Sequence, residues 1–340
     1  MRAPTPRGPL TAVLLDALVA APGPLPVLRE ATDRALRTTR DVLDDDDIQL
    51  ALFVLYELHY RGIGGVDDIW EWHPELLAVR AELEREFEAR LRLLVPVPDT
   101  PAASAAEVAE ALFELTAADE GPSLSGFVAK RATDDQLHEF VIHRSIYHLK
   151  EADPHTWALP RLSGRPKSAL IEVQADEYGG GRPGHTHAEL FAGTMRGLGL
   201  DDAYGAYADL VPAPTLANVN LMSLFGLHRR LRGAIAGHLA AFEMTSSIPC
   251  RRYGNGCRRL GYGSEVTHYF DEHVEADAVH EQIAGRDLAG ALAEMEPHVR
   301  DDVLWGAAAY LAIDGLAGRR MLDAWEAGRS SLRAPVDLAA

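Results

Sequence analysis

H-V-E-A-D-A-V-H, residues 273–280, sets His273, Asp277 and His280 at successive steps of four and three. On a helix turning about 100° per residue, those steps gather the three side chains into an arc roughly 60° wide. A solvated face laced with ion pairs would set Lys or Arg against the acids, and this octet contains no cation. A carboxylate between two imidazoles on one stripe is a donor set for a divalent metal, and it calls for further donors on facing helices.

The chain around it reads as helical almost throughout. D-D-D-D at 44–47 precedes an apolar run, placing acids where a helix N-terminus attracts them. P-E-L-L-A-V-R-A-E-L-E-R-E-F-E-A-R-L-R-L-L-V at 74–95 has an apolar period near 3.6. V-P-V-P-D-T-P at 95–101 is the clearest linker. It divides the chain into a helical extension, 1–100, and a main domain, 101–330. Helices are expected over about 105–118, 132–152, 166–178, 185–198, 201–210, 214–242, 262–284, 286–296 and 298–328. No run alternates as a strand would. The expected class is all-α, a helical bundle.

Composition narrows the function. The 340 residues carry 51 Asp+Glu against 33 Lys+Arg, a formal charge of −18. Such a surface repels nucleic-acid phosphates and anionic membranes, leaving a small molecule or a second copy of the chain (a homodimer) as the expected partner. No apolar run reaches membrane-spanning length. The start, M-R-A-P-T-P-R-G-P-L-T-A-V-L-L-D-A-L-V-A-A, is interrupted by Asp16 and reads as a helix after a ragged beginning rather than as a leader. With two cysteines, Cys250 and Cys257, and no disulfide framework, a cytoplasmic location is expected.

Further donors come from acids among apolar neighbours. Glu243 ends the helix L-A-A-F-E-M, where an unpaired carboxylate is costly to bury. E-V-Q-A-D-E-Y-G-G-G-R-P-G-H-T-H-A-E-L-F, 172–191, offers Glu177 and His187 across a glycine–proline break that can turn both toward one cavity. Glu172 and Asp176 read as surface or supporting acids, and His185 as a loop histidine. Glu151 stands near the end of a helix, where an acid opposes the dipole and needs compensation. His59, Glu57, Trp70 and Trp72 read as packing residues.

Glu177, His187, Glu243 and the triplet His273, Asp277, His280 resemble, in order and spacing, the ligand pattern of the haem-oxygenase-like diiron oxidases and oxygenases. The resemblance spans about 105–330. Within that family the chain is similar to the N-hydroxylating domain of N-nitrosating enzymes, where an additional upstream glutamate joins the site at the position of Glu151. More compact members place the Glu and His closer together; the glycine-rich spacing here is that of the N-oxygenating branch. The resemblance implies a seven-helix core, two Fe(II) ions, O2 as co-substrate and an external electron donor. It implies one iron on His187 and His280, the other on His273 and Asp277, with Glu177 and Glu243 completing or bridging them. Two ferrous charges balance Glu177, Glu243, Asp277 and Glu151, which lowers the cost of burial.

The implied activity is oxygenation of an amino-acid-like small molecule, most simply at nitrogen, in specialised biosynthesis. C–C cleavage and desaturation by the same centre are the alternatives, and a metal-independent oxidase or a non-catalytic iron-binding protein on this fold would be the rival classes. R-R-Y-G-N-G-C-R-R, 251–259, reads as a basic loop at the mouth of the site, with Arg251, Arg252 and Tyr253 as substrate-binding candidates. The run G-G-G-R-P-G does not follow a strand, so no nucleotide site is expected.

Overall fold

The computed structural model describes residues 1–99, 104–118, 121 and 123–334, without the side chains of 275–278. The 100/101 boundary and the end of the 95–101 linker lie outside the described residues. Four helices come first: α1 (Pro9–Leu18), α2 (Pro26–Thr38), α3 (Asp46–Glu57) and α4 (Pro74–Leu94). Each aspartate of the 44–47 run has its own partner. Asp45 caps α3 by accepting from the Asp47 and Ile48 amides. Asp47 caps α1, taking the Leu10 and Thr11 amides at 2.8 Å. Asp46 accepts from the Ala213 amide and from Arg7, and Asp44 pairs with Arg320. On α4 the buried positions Leu76, Val79, Leu83, Phe87 and Leu91 mark one face.

Next come α5 (Ala105–Ala117), α6 (Leu124–Lys130), α7 (Asp134–His148), the single turn α8 (Asp153–Thr156), α9 (Gly164–Glu177) and α10 (His187–Gly197). The centre of the bundle is α11 (Ala213–Leu227) and α12 (Arg232–Met244), whose side chains are almost all buried. Around them run α13 (Ser247–Arg259), α14 (Ser264–Gln282), α15 (Ala291–Met295) and α16 (Arg300–Glu326). α12 and α16 approach backbone to backbone: a Cβ on Gly237 would stand 1.8 Å from the Val303 carbonyl oxygen, and one on Gly306 2.2 Å from that of Ala234. One apolar core connects these helices with α1–α4, and α3 packs on α11. The described residues contain helices and turns but no strand, so the fold is all-α as expected. None of their helices is long and apolar enough to cross a membrane.

Some expected boundaries are wrong. Residues 201–210 form turns rather than a helix, with Gly205 at positive φ and the Asp201 amide bonded to the Tyr207 hydroxyl. The expected 214–242 helix is two, because Arg161 takes the last carbonyls of α11, Gly226 and Leu227, and His228 turns out to Glu84. The expected basic loop at 251–259 is helix α13. Its glycines serve contact: a Cβ on Gly256 would lie 2.7 Å from the Val128 carbonyl oxygen of α6. The helix α6 was not expected. Finally, α14 runs on through a π-helical stretch, Ile283–Gly290, into α15, where two separate helices are expected from sequence.

Candidate metal centre

Six of the seven sequence candidates converge between α7, α9, α10, α12 and α14, each buried at 7% exposure or less. Glu177 is the last residue of α9 and His187 the first of α10. The chain between them reverses through Gly179, Gly180, Gly181 and Gly184, all at positive φ. A Cβ on Gly179 would meet the His185 backbone at 2.5 Å, so the fold-back needs glycine there. Thr186 caps α10, and Glu189 returns to the Gly184 and Thr186 amides. That capping box sets His187 against Glu177, with Nδ1 and Oε2 3.1 Å apart.

Glu151 comes not from a helix end but from the turn after α7, which stops at His148. Its carboxylate accepts from the Tyr269 hydroxyl at 2.7 and 2.9 Å and lies 2.9 Å from His148 Nδ1. Glu243 stands near the end of α12, while His273 and His280 lie two turns apart on α14. The side chain of Asp277 lies outside the described residues; its backbone continues α14 between the two histidines.

These side chains form two adjoining groups: Glu151, His187 and His273, and Glu177, Glu243 and His280. Within each group one donor atom per residue lies within 4.8 Å of the others. The sequence-implied pairing is therefore corrected, since His187 stands with His273, their rings 4.3 Å apart, and not with His280. The glycine fold-back carries His187 over the first turn of the stripe, whereas the seven-residue step places His280 beside Glu243, at 3.6 Å.

The decisive feature is what these atoms lack. Glu177 Oε2, His187 Nδ1, His273 Nε2 and His280 Nδ1 are all buried without a well-aligned hydrogen bond, although Glu177 and His187 stand 3.1 Å apart, His273 and Glu151 3.7 Å, and His280 and Glu243 3.6 Å. Such imperfectly paired atoms are costly in a folded interior. Yet the opposite ring nitrogens of the two α14 histidines are engaged: His273 Nδ1 with the Tyr269 carbonyl at 2.8 Å, and His280 Nε2 with Asp176 at 3.0 Å. Imidazoles held from behind, with their other ring nitrogens converging on carboxylates, have the arrangement that metal ligands adopt. Nitrogen and carboxylate oxygen together suit a divalent first-row metal such as iron or manganese.

Charge fills the centre in the metal-free chain. Burial alone would depress His187, but Glu177, and then Glu151 and Glu243, raise it to about 9. His280 likewise rises to about 9 against burial, through Glu243, Asp176 and Glu177. His273 is pushed down to about 4, chiefly by burial. Burial opposes ionisation of Glu151 but is outweighed by His148 and His273, holding it at about 2, whereas burial leaves Glu243 raised. Protons on His187 and His280 stand where cationic charge is wanted.

A cavity of about 350 Å³ opens beside the first group, with Glu151, His148, Tyr269 and His273 in its wall. Its other walls carry Arg144, Asp314, Arg252, Tyr253 and Tyr310. Arg144 pairs with Asp314 at 3.0 Å, and Asn218 donates to the same carboxylate oxygen. Arg252 reaches Ser125 at 3.4 Å. Arg251 is exposed and is not part of this wall. Arg258 binds Asp271, and Arg259 donates to the Val128 and Ala129 carbonyls of α6 and to that of Ala132 beyond it. Tyr178 binds Thr156 and Asp153, and Trp72 is exposed rather than packed inside. Sequence reasoning missed His148 and Tyr269, although each is one turn upstream of a donor, Glu151 and His273.

The family model described as an iron-containing redox enzyme matches residues 138–315. The chain belongs to that family. All six converging donors of this iron-containing redox enzyme lie inside the matched stretch, and α1–α4 lie outside it. The chain is also similar to the nitrosourea synthase of Streptomyces achromogenes subsp. streptozoticus, with 27% identity over 146 residues. That alignment covers 43% of this chain and 31% of the synthase, so the likeness spans about a third of that protein's length.

Proposed function

We propose that this iron-containing redox enzyme is a non-haem diiron oxygenase that inserts oxygen at a nitrogen of an amino-acid-like small molecule. The observation that carries the reading is the pair of adjoining buried donor groups, four of whose atoms lack a well-aligned hydrogen bond, with one group opening on the cavity. Glu151, His187 and His273 would hold one iron and Glu177, Glu243 and His280 the other, with Asp277 placed by its register on α14 to join them. Two ferrous ions would supply the redox chemistry toward O2. The overall change balances as one oxygen atom to the substrate nitrogen and one to water, with two electrons and two protons from an external reductant.

The chain's own residues supply the rest. The apolar wall of Phe140, Phe242 and Phe270 excludes water from the space beside Glu151 and His273. Arg252 offers a guanidinium for a substrate carboxylate, while Asp314 in the same wall is taken up by Arg144. Similarity to a nitrosourea synthase supports nitrogen as the target, since a nitrosourea carries an oxidised nitrogen.

The test is turnover of ferrous-loaded protein under labelled O2 with a panel of amino acids bearing side-chain nitrogen. The reading predicts a product that has gained one labelled oxygen on nitrogen. A product lacking a carboxylate carbon, or two hydrogens, without that gain would replace it by C–C cleavage or desaturation. Arg252→Ala is expected to raise KM about tenfold with kcat little changed, and Arg251→Ala to alter neither.

A further inference from the structure

Glu151 is the one candidate ligand that hangs on a turn, and the residue before it points the other way into a buried ion pair. The side chains of Lys150 and Glu57 are both 0% exposed, and the ammonium bonds the Glu57 carboxylate. The second carboxylate oxygen accepts from the Tyr204 hydroxyl at 2.7 Å. The ammonium lies 3.9 Å from the centre of the Tyr60 ring and 5.3 Å from that of Phe53. Arg61, over the Tyr204 ring, donates to the Leu149 carbonyl at 2.9 Å. Glu57 ends α3, and Tyr60 and Arg61 follow it, so Phe53, Glu57, Tyr60 and Arg61 come from the stretch of chain that the family model does not match, whereas Tyr204 lies within the match.

We infer that Glu57, Lys150 and Arg61 are positioning residues for Glu151, through which the N-terminal helices set one donor of the first group. The inference rests on the metal-centre reading above. A buried Lys–Glu pair adds little stability over an apolar pair of the same volume. What it adds is direction, because an ammonium in an aromatic box has one carboxylate to meet. Consecutive Cα atoms are 3.8 Å apart, so a turn gripped at Leu149 and Lys150 fixes where Glu151 starts. The far side is gripped as well, since Gln174 donates to the Ala152 carbonyl at 2.8 Å and Tyr178 to Asp153 at 2.8 Å. Ligand geometry has to hold within roughly half an ångström, and a free turn would not provide that.

The test is anaerobic ferrous titration against a competing chelator, with circular dichroism and Tm measured on the same samples. Glu151→Ala and Glu243→Ala assign the two binding events to the two groups. The double variant Glu57→Met/Lys150→Met removes both charges together. Its first-group affinity is expected to fall at least tenfold, as in Glu151→Ala, with the second group within about twofold of wild type. Adding Glu151→Ala to the double variant is expected to cost nothing more. Wild-type binding at both groups, or equal weakening of both, overturns the inference. If the double variant does not fold, Arg61→Met, which leaves the ion pair intact, is expected to weaken the first group selectively by about threefold; no selectivity there overturns it too. A wild-type chain that takes up no ferrous ion overturns the proposed function and this inference together, whereas intact uptake by the double variant overturns the inference alone.

Discussion

The bundle buries two sets of histidines, and they differ in what surrounds the rings. His143 lies between the Thr215 and Ser331 hydroxyls at 2.7 and 3.1 Å, and His155 meets His238 at 3.1 Å. These rings are neutral: burial pushes His143 and His155 down to about 4 and His238 down as well. His187 and His280 are as deeply placed, but each faces carboxylates and is held up at about 9. Burial of a histidine therefore does not mark a metal site. Convergence of several ring nitrogens and carboxylates does, and of these two sets the second has it.

The largest effect separating the sets is expected from ligand removal. His273→Ala and Glu243→Ala should each lower ferrous-dependent O2 consumption by at least a hundredfold with the helical circular dichroism retained. His143→Gln should leave that activity within about threefold. Comparable losses in all three would erase the distinction.

A smaller effect is expected behind the ligands. Tyr269→Phe removes the hydroxyl that holds the Glu151 carboxylate and should weaken one ferrous site about tenfold. Asp176→Asn, whose partner His280 keeps Glu243, should cost less because the Asp176 side chain is 64% exposed. Chelator competition on both variants checks the order, and the reverse order would point to His280 as the more dependent ligand.

The smallest effect is in the pH dependence of metal-free stability, and there His143 and His155 act with opposite sign to His187 and His280. Rings depressed to about 4 contribute stability that is present above the unfolded value near 6.5 and lost as pH falls through 4. Rings raised to about 9 contribute stability that is present below 6.5 and lost as pH rises through 9. Tm of the metal-free chain is therefore expected to peak near pH 6.5 and to fall on both sides. Ferrous loading should flatten the alkaline limb, because a coordinated imidazole no longer takes up the proton. An alkaline limb unchanged by iron would separate His187 and His280 from the metal.

How much of this the sequence contains depends on the range of the interaction. The stripe His273–His280 was legible because helical spacing alone puts its residues on one face. Glu177 and His187 were legible through the glycines that must fold the chain back. The grouping of His187 with His273 was not, because it depends on where α10 lands against α14. Helix α13 was misread because glycine at 256 serves close packing on α6, which looks like a loop signal in one dimension, although Cys250, Tyr253, Gly254 and Cys257 already repeat at helical spacing. Glu57, taken as a packing residue, meets a lysine 93 positions away, and no local pattern encodes that pair.

The central claim is two adjoining metal sites, and the most direct measurement is the number of ferrous ions bound per chain in anaerobic equilibrium titration. Two buried donor groups predict two ions per chain, falling to one in Glu243→Ala. Uptake of no more than one ion by the wild-type chain, or two undiminished in that variant, would contradict the account.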